Sequence, residues 1–360
     1  MFKSKAIFAG VMSMALLACT ACGKSAAPQD SGSTEGQVTE KESEGKTEGK
    51  AEAGADVITI TYGHGFNPGT PQARAADEFK ARVEKESNGR ILVDVFPAGQ
   101  LGSAREMFES VQMGSQEIAL LPTARISGFS PTLQIFDLPF LFPDRETAYQ
   151  IFDSEVGEKL LDTLSDTGVK GLAIYEDGFK HFTCSKKLEK LEDFKGLKFR
   201  TMESPIIMEQ FQALGANPVP IDFSELYNAL QQGTVDGQEN PLVTIDSVKL
   251  YEVQDYLLYS QHAYLGHVFL TSKSWYDGLD DELKEIVTRN AKEIAVWERS
   301  LVAEEEVRYL DTIKASGTTV IELSAEERAR MKEALSSVYA VAEGVVGKDL
   351  LDMVTEAAGQ

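Results

Sequence analysis

Val57-Ile58-Thr59-Ile60-Thr61-Tyr62, then Thr70-Pro71-Gln72-Ala73-Arg74-Ala75-Ala76-Asp77-Glu78-Phe79, then Ile91-Leu92-Val93-Asp94-Val95-Phe96 is the stretch that decides the fold class. The first run is β-branched, which suits a pleated strand better than a helix. Thr70 followed by Pro71 opens a helix: the threonine oxygen can cap free N–H groups, and proline has no N–H to lose at the first helical position. Ala76, Phe79 and Val83 recur at helical spacing and form its buried stripe. Asn88-Gly89 ends the helix, and the third run is a strand. A helix over about Ala104 to Met113 and a strand over Glu117 to Leu121 continue the alternation. Strand alternating with helix is the α/β signature.

A second run begins near Val169. Val169 to Tyr175 and Gly196 to Thr201 read as strands, and Ile206 to Leu214 as a helix. Asp222 and Glu225 have capping-box spacing for a helix from Ser224 to Gln232, which Gly233 closes. Two such runs predict two lobes. Beyond them, Leu283, Ile286, Val287, Ile294, Leu301, Leu310 and Ile313 mark a long helix over about Asp280 to Lys314. At about 1.5 Å per residue it would reach roughly 50 Å, enough to brace both lobes.

Toward the N-terminus the composition changes. Residues 23–55 carry Lys, Glu, Gly, Ser and Ala without an aromatic residue, so they cannot bury a core and read as a disordered tether. Residues 1–22 have a signal pattern: Lys3 and Lys5, an apolar run from Ala6 to Ala18, then Leu16-Leu17-Ala18-Cys19 and Thr20-Ala21-Cys22-Gly23. A small residue before a cysteine resembles a bacterial lipobox, which makes Cys19 or Cys22 the lipidated residue; an ordinary cleaved signal is the alternative. The chain is therefore expected to be exported and held by an acyl anchor at the outer face of the cytoplasmic membrane or in the periplasm.

The 360 residues are 42% apolar and 26% charged, as in ordinary globular proteins, with a net charge of -22 that makes nucleic acid and anionic membrane surfaces poor partners. Cys184 is the only cysteine past the signal region, so no disulfide forms inside the mature domain and no cysteine-based metal site exists. Enzyme signatures are missing: there is no phosphate-binding glycine loop, no dinucleotide fingerprint and no nucleophile elbow. The four histidines, His64, His181, His262 and His267, never pair at zinc-ligand spacing, and His262 and His267 are expected on opposite faces of a strand. No enzymatic activity, cofactor or metal is expected.

Recognition residues remain. Gly196-Leu197-Lys198-Phe199-Arg200 is an apolar strand ending in an arginine, with Met202 and Pro205 just after it. In open α/β sheets ligands sit beyond the carboxyl ends of strands, and an arginine there can hold a carboxylate with two parallel hydrogen bonds. Thr234 to Pro241 offers the amides of Gln238 and Asn240 on a backbone fixed by Gly237 and Pro241, which suits a ligand's oxygens or a plain turn.

These segments resemble the extracytoplasmic solute-binding proteins of TRAP (tripartite ATP-independent periplasmic) transporters, the DctP family, from about Ile58 to Leu350. The matching motifs, in order, are Tyr62-Gly63-His64-Gly65, Phe96 to Gly102, Asp137-Leu138-Pro139-Phe140, Gly196 to Arg200, Phe223 to Tyr227 and Val235 to Pro241. The resemblance implies a two-lobe periplasmic-binding-protein-like α/β fold with crossing hinge strands and a long helix spanning both lobes. Lobe I would comprise residues 56–177 and 266–305, and lobe II residues 178–265 and 306–358. Gly178 and Gly266 would absorb the hinge rotation.

The resemblance also implies function: a receptor that closes on a small organic acid (monocarboxylate, dicarboxylate or sugar acid) and delivers it to TRAP membrane permease subunits. A surface sensory receptor without a transporter is the alternative. Arg200 would pair with the ligand carboxylate, Asn240 would help hold it, and Phe223 would pack on the ligand. Lys180 stands where the family often has a second arginine. His64, Asn67 and Arg125 would serve the first-lobe side, with Met202 and Gln238 completing the second. Gly102 to Arg105 and Leu121 to Arg125 lack the acids of sialic-acid-binding members, which disfavours that ligand.

Overall fold

The computed structural model describes residues 57–360; the signal segment, both candidate lipid-bearing cysteines and the tether lie outside the described residues. The described residues form ten strands: β1 Ile58–His64, β2 Ile91–Phe96, β3 Ile118–Pro122, β4 Val169–Cys184, β5 Lys198–Thr201, β6 Asn217–Pro220, β7 Gly237–Pro241, β8 Tyr256–Tyr259, β9 Tyr264–Ser272 and β10 Thr319–Glu322. Their order is β2-β1-β3-β9-β4-β7-β5-β6, with β8 joining β4 to β10.

Two half-sheets meet on β4. Its first part, Val169 to Phe179, runs antiparallel to β9. Its last part, Lys180 to Cys184, runs antiparallel to β7. One lobe is built on β1, β2, β3 and β9, the other on β5, β6, β7, β8 and β10. The sequence predicted a strand ending at Tyr175, but β4 continues through Glu176-Asp177-Gly178, a triplet with the composition of a turn. Gly178 permits this: its φ of 115° is closed to residues with a Cβ, and it sits at a register shift between Glu176 and Gly178. Gly266 has no positive φ, and an added Cβ would come no closer than 3.6 Å to its neighbours, so it has no comparable need to be glycine.

The helix Pro71–Glu86 is capped as expected, Thr70 accepting from the Ala73 N–H. Its buried Ala76, Phe79 and Val83 pack with Ile60, Leu283 and Val287 in the first-lobe core. The long helix is continuous over Asp281–Ala315. Its first half supplies Leu283, Ile286 and Ile294 to that core, while Tyr309 and Ile313 enter the second-lobe core with Leu226, Leu230 and Val243. It spans both lobes. The C-terminal helices contribute Met331, Val338 and Val354 to a third cluster shared with Leu133 and Phe136 on one side and Ile207 and Phe211 on the other. The chain end therefore packs against segments on both sides of the expected boundary.

Two local expectations change. The segment after Asp222 is a 3-10 turn, Phe223–Glu225, followed by a short helix, Leu226–Gln231. Asp222 Oδ1 accepts from the N–H and hydroxyl of Ser224 instead of forming the helix-long capping box. His262 precedes β9 and so shares no strand with His267.

Candidate functional site

Between the lobes lies a cavity of about 590 Å³. The carboxyl ends of β3 and β5 both open onto it, as the strand-end rule requires. On β5, Phe199 is buried in the core and Arg200, next along the strand, points to the cavity. The Arg200 side chain is 2% exposed. Its Nε donates to the Ile221 carbonyl at 3.0 Å, and its buried Nη2 has no hydrogen-bond partner among the described residues. Burial, and then the charge of Arg125, push its pKa down to about 9, which leaves it cationic at neutral pH.

Arg125 reaches the cavity from a 3-10 turn, Thr123–Ile126, directly after β3. Its Nη1 donates to Asp222 Oδ2 at 2.9 Å, and its Nη2 is likewise buried without a partner among the described residues. Burial lowers its pKa while Asp222 resists the shift. For Asp222 burial pulls upward, but the Ser224 N–H and then Arg125 outweigh it and hold the carboxyl below its usual range. Two further bonds bridge the lobes: Asn67 Nδ2 to the Ser247 carbonyl at 3.0 Å and Ser127 Oγ to the Glu203 carbonyl at 2.6 Å.

Asn240, Phe223, Met202 and Asn67 also line the cavity. Asn240 is turned by Gln238, whose Oε1 accepts from Asn240 Nδ2 and whose Nε2 donates to Thr183 Oγ1 at 2.9 Å. Gln238 is two residues from Asn240 on β7 and shares its face, but it lies outside the lining: it positions Asn240.

Lys180 does not reach the cavity. It lies on the face of Glu239, opposite Asn240, and its Nζ is 2.9 Å from Glu239 Oε1 and 3.8 Å from Asp137 Oδ1. Glu239 Oε2 is also bonded to His262 Nε2 at 2.7 Å. Strand alternation thus commits Lys180 to a buried ionic cluster. For Glu239 burial works upward, yet Lys180 and His262 bring its pKa down to about 2. His64 is also outside the lining; its Nδ1 accepts from the Phe66 N–H at 3.2 Å.

The sequence reading missed Asp177, Thr244 and His267, all of which face the cavity. Thr244 Oγ1 donates to Asp177 Oδ2 at 2.7 Å, and Gln72 Nε2 lies 3.5 Å from Oδ1. Burial raises the Asp177 pKa to about 7. His267 Nδ1 is buried without a partner among the described residues, and burial followed by the nearby His64 lowers its pKa to about 3, so the ring is neutral.

Residues 62–344 match the family described as bacterial extracellular solute-binding protein, family 7. A C4-dicarboxylate-binding periplasmic protein, DctP, of Rhodobacter capsulatus is 34% identical over 85% of this chain and 92% of its own. The structure of a sugar acid binding protein from Advenella mimigardefordensis in complex with galactonate superposes with a TM-score of 0.82 at 36% identity, covering 85% of this chain and 99% of that one. A TRAP periplasmic solute binding protein from Sulfurospirillum deleyianum with bound succinate superposes with a TM-score of 0.79 at 37% identity, covering 84% and 99%. With its two lobes, shared strand, spanning helix and arginine-lined cleft, the chain belongs to the bacterial extracellular solute-binding proteins of family 7, the DctP-type solute receptors of TRAP transporters.

Proposed function

We propose that the chain captures a small organic anion by lobe closure and hands it to the permease subunits of a TRAP transporter. The observation that carries this reading is the pair Arg125 and Arg200, which approach one cavity from opposite lobes, each with a buried, unpartnered Nη2. Two desolvated guanidiniums facing one space repel each other, and an anion between them removes that repulsion. A carboxylate can accept from both forks and from Asn240 at once. Closure follows when such contacts exist only with the lobes together, because a ligand that binds both states equally shifts nothing.

Relatives named for C4-dicarboxylates and solved with galactonate or succinate support an organic acid as the ligand class. Lobe I takes residues 56–177 and 266–305, and lobe II residues 178–265 and 306–358. Binding proceeds without turnover, cofactor or metal. The chain is held at the outer face of the membrane or in the periplasm by an acyl group on Cys19 or Cys22, with residues 23–55 as the tether. A thermal-shift panel of organic acids on the purified chain, followed by calorimetry, tests the reading. At least one carboxylate should raise the melting temperature strongly; a panel in which none does would defeat it.

A further inference from the structure

Outside the cavity, two first-lobe arginines grip the long helix at consecutive glutamates. Arg145 opens the helix Arg145–Phe152, which is fixed to the first-lobe half of the long helix. There the Tyr149 hydroxyl donates to the Arg299 carbonyl at 3.4 Å, and Arg299 Nη1 donates to Asp153 Oδ2 at 2.8 Å. Arg145 reaches further along, its Nη2 donating to Glu306 Oε1 at 2.9 Å and its Nη1 to Glu306 Oε2. Arg74, on the helix Pro71–Glu86, donates through Nη1 to Glu305 Oε1 at 2.6 Å. Glu305 Oε2 in turn accepts from the Tyr309 hydroxyl at 2.9 Å, and Tyr309 belongs to the second-lobe core. The grip falls where the helix passes from one lobe to the other.

The Arg145 guanidinium also lies against the bend of β4. Its Nε donates to Glu176 Oε1 at 3.2 Å, and a Cβ on Gly178 would sit 3.2 Å from its Nη2. Glu176 is fully buried: its Oε2 accepts from the Tyr264 hydroxyl, and its N–H donates to Glu298 Oε2 on the long helix at 3.1 Å. One side chain thus touches both the strand that crosses between the lobes and the helix that spans them. Neither Arg145 nor Glu306 lines the cavity. Their side chains are 19% and 18% exposed, so the pair is screened less than one in open solvent.

We infer that Arg145 is a positioning residue for ligand capture: its fork on Glu306 favours the closed cleft and sets how readily the lobes close, without touching the ligand. This rests on the lobe-closure reading above. The fork is formed while Arg125 with Asp222, Asn67 with Ser247 and Ser127 with Glu203 join the lobes across the cleft. Two parallel hydrogen bonds tolerate little displacement, being lost beyond about 3.5 Å or when bent below about 120°. A rotation that parts the lobes carries Glu306, one turn before the core residue Tyr309, away from an arginine fixed to the first lobe. The fork therefore belongs to the closed arrangement. A contact of this kind scales the closing equilibrium by one factor, whichever ligand occupies the cleft, because apparent affinity follows the fraction of the protein in the binding-competent state.

The test is calorimetry and stopped-flow binding on Glu306→Ala, which leaves Arg145 in place to neutralise the buried Glu176. The probes are the two tightest binders among succinate, L-malate, D-galactonate and D-gluconate, and Glu304→Ala, exposed on the same helix, is the control. Glu306→Ala should weaken both probes at least about fivefold, by factors that agree within about twofold, through faster dissociation at a nearly unchanged association rate. Glu304→Ala should change neither rate. Glu306→Gln, which keeps one acceptor oxygen, should recover part of the loss, and it replaces the alanine variant should that fail to fold. Unchanged affinity in the Glu306 variants, or a loss confined to one probe, would overturn this inference and leave the organic-anion reading standing. Absence of binding to the wild type by all four carboxylates would overturn both.

Discussion

Arg125 and Asp222 join the two lobes across the mouth of the cavity, Nη1 to Oδ2 at 2.9 Å, and the two residues differ sharply in exposure. The arginine side chain is 9% exposed and the aspartate 41%. The bridge is therefore half in solvent and screened, and pairs of that kind contribute about 1 kcal/mol or less. Asp222 also competes with a bound carboxylate for Arg125, which offsets what it adds to closure. Asp222→Asn is expected to change ligand affinity by less than about fivefold, with the effect shrinking as salt rises. Calorimetry at two ionic strengths checks this; a larger, salt-independent loss would make the bridge a requirement for closure.

Arg200→Lys should behave differently. Lysine places one ammonium where the guanidinium presents a planar fork, and it cannot also keep the bond to the Ile221 carbonyl in the same geometry. Losing one member of a desolvated charged pair costs on the order of 2–5 kcal/mol. A loss of more than about tenfold in affinity is expected, with an unchanged circular dichroism spectrum. Unaltered affinity would remove Arg200 from the anion site.

The two hinge glycines should separate under substitution. Gly178→Ala forces a Cβ onto a φ of 115° and places it 3.2 Å from Arg145 Nη2. Arg145 is bonded to Glu176 at 3.2 Å and to Glu306 at 2.9 Å, so it cannot easily retreat. A destabilisation of about 1–3 kcal/mol is expected in urea unfolding. Gly266→Ala meets only ordinary contacts and should cost less than about 1 kcal/mol. Equal effects would contradict the assignment of the bend to Gly178.

The contributions of Asp177 and Asp137 to stability should fall as pH rises through neutrality. Asp177 is raised from 3.8 to about 7 by burial, with Glu176 adding to the rise against the bond from Thr244 and the charge of Lys180. Asp137 is raised from 3.8 to about 6 by burial, against Lys180 and Ser204. Both groups bind a proton more tightly folded than unfolded, so their contribution is full below about pH 4 and is lost as pH rises through about 7. Glu239 acts oppositely: its contribution is present above its unfolded 4.5 and disappears as pH falls toward about 2. The buried neutral His64 and His267, with lowered pKa values, act oppositely over the same interval, so the quantity to compare is the difference between two proteins: the melting temperature of Asp177→Asn should gain on that of the wild type between about pH 5.5 and about pH 8. A difference between the two proteins that stays constant over this interval would refute the assignment.

Anchoring is tested at the N-terminus. Changing Cys19 and Cys22 together to Ser should move the protein from the membrane fraction to the aqueous one, and mass spectrometry of the mature N-terminus should identify the acylated residue. A wild-type protein recovered without lipid would contradict the anchor.

Local rules located most elements because the signals are local: Thr70-Pro71 opens its helix, and the stripe from Leu283 to Ile313 forms one continuous helix. The strand-end rule also pointed to Arg200 and the amide-bearing turn to Asn240, while the family resemblance supplied Phe223, Met202, Asn67 and Arg125; the six line the cavity from five separate chain segments. Lys180 was misplaced because the face it occupies is fixed by pairing with β7, whose Glu239, 59 residues away, takes its ammonium. Asp177 was missed for a related reason. A buried strand through Glu176-Asp177-Gly178 exists only because Gly178 bends it and Thr244 and Gln72 meet the carboxyl, all of which is tertiary.

The strand β4 belongs to both half-sheets, and the helix Asp281–Ala315 places side chains in both cores. Peeling either lobe away would break a ladder and strip a helix on which the other depends. Neither half is an autonomous folding unit, although each has its own apolar centre. The two lobes should therefore melt as one cooperative body, so a receptor weakened by damage in one lobe loses both instead of persisting as a half-formed cleft.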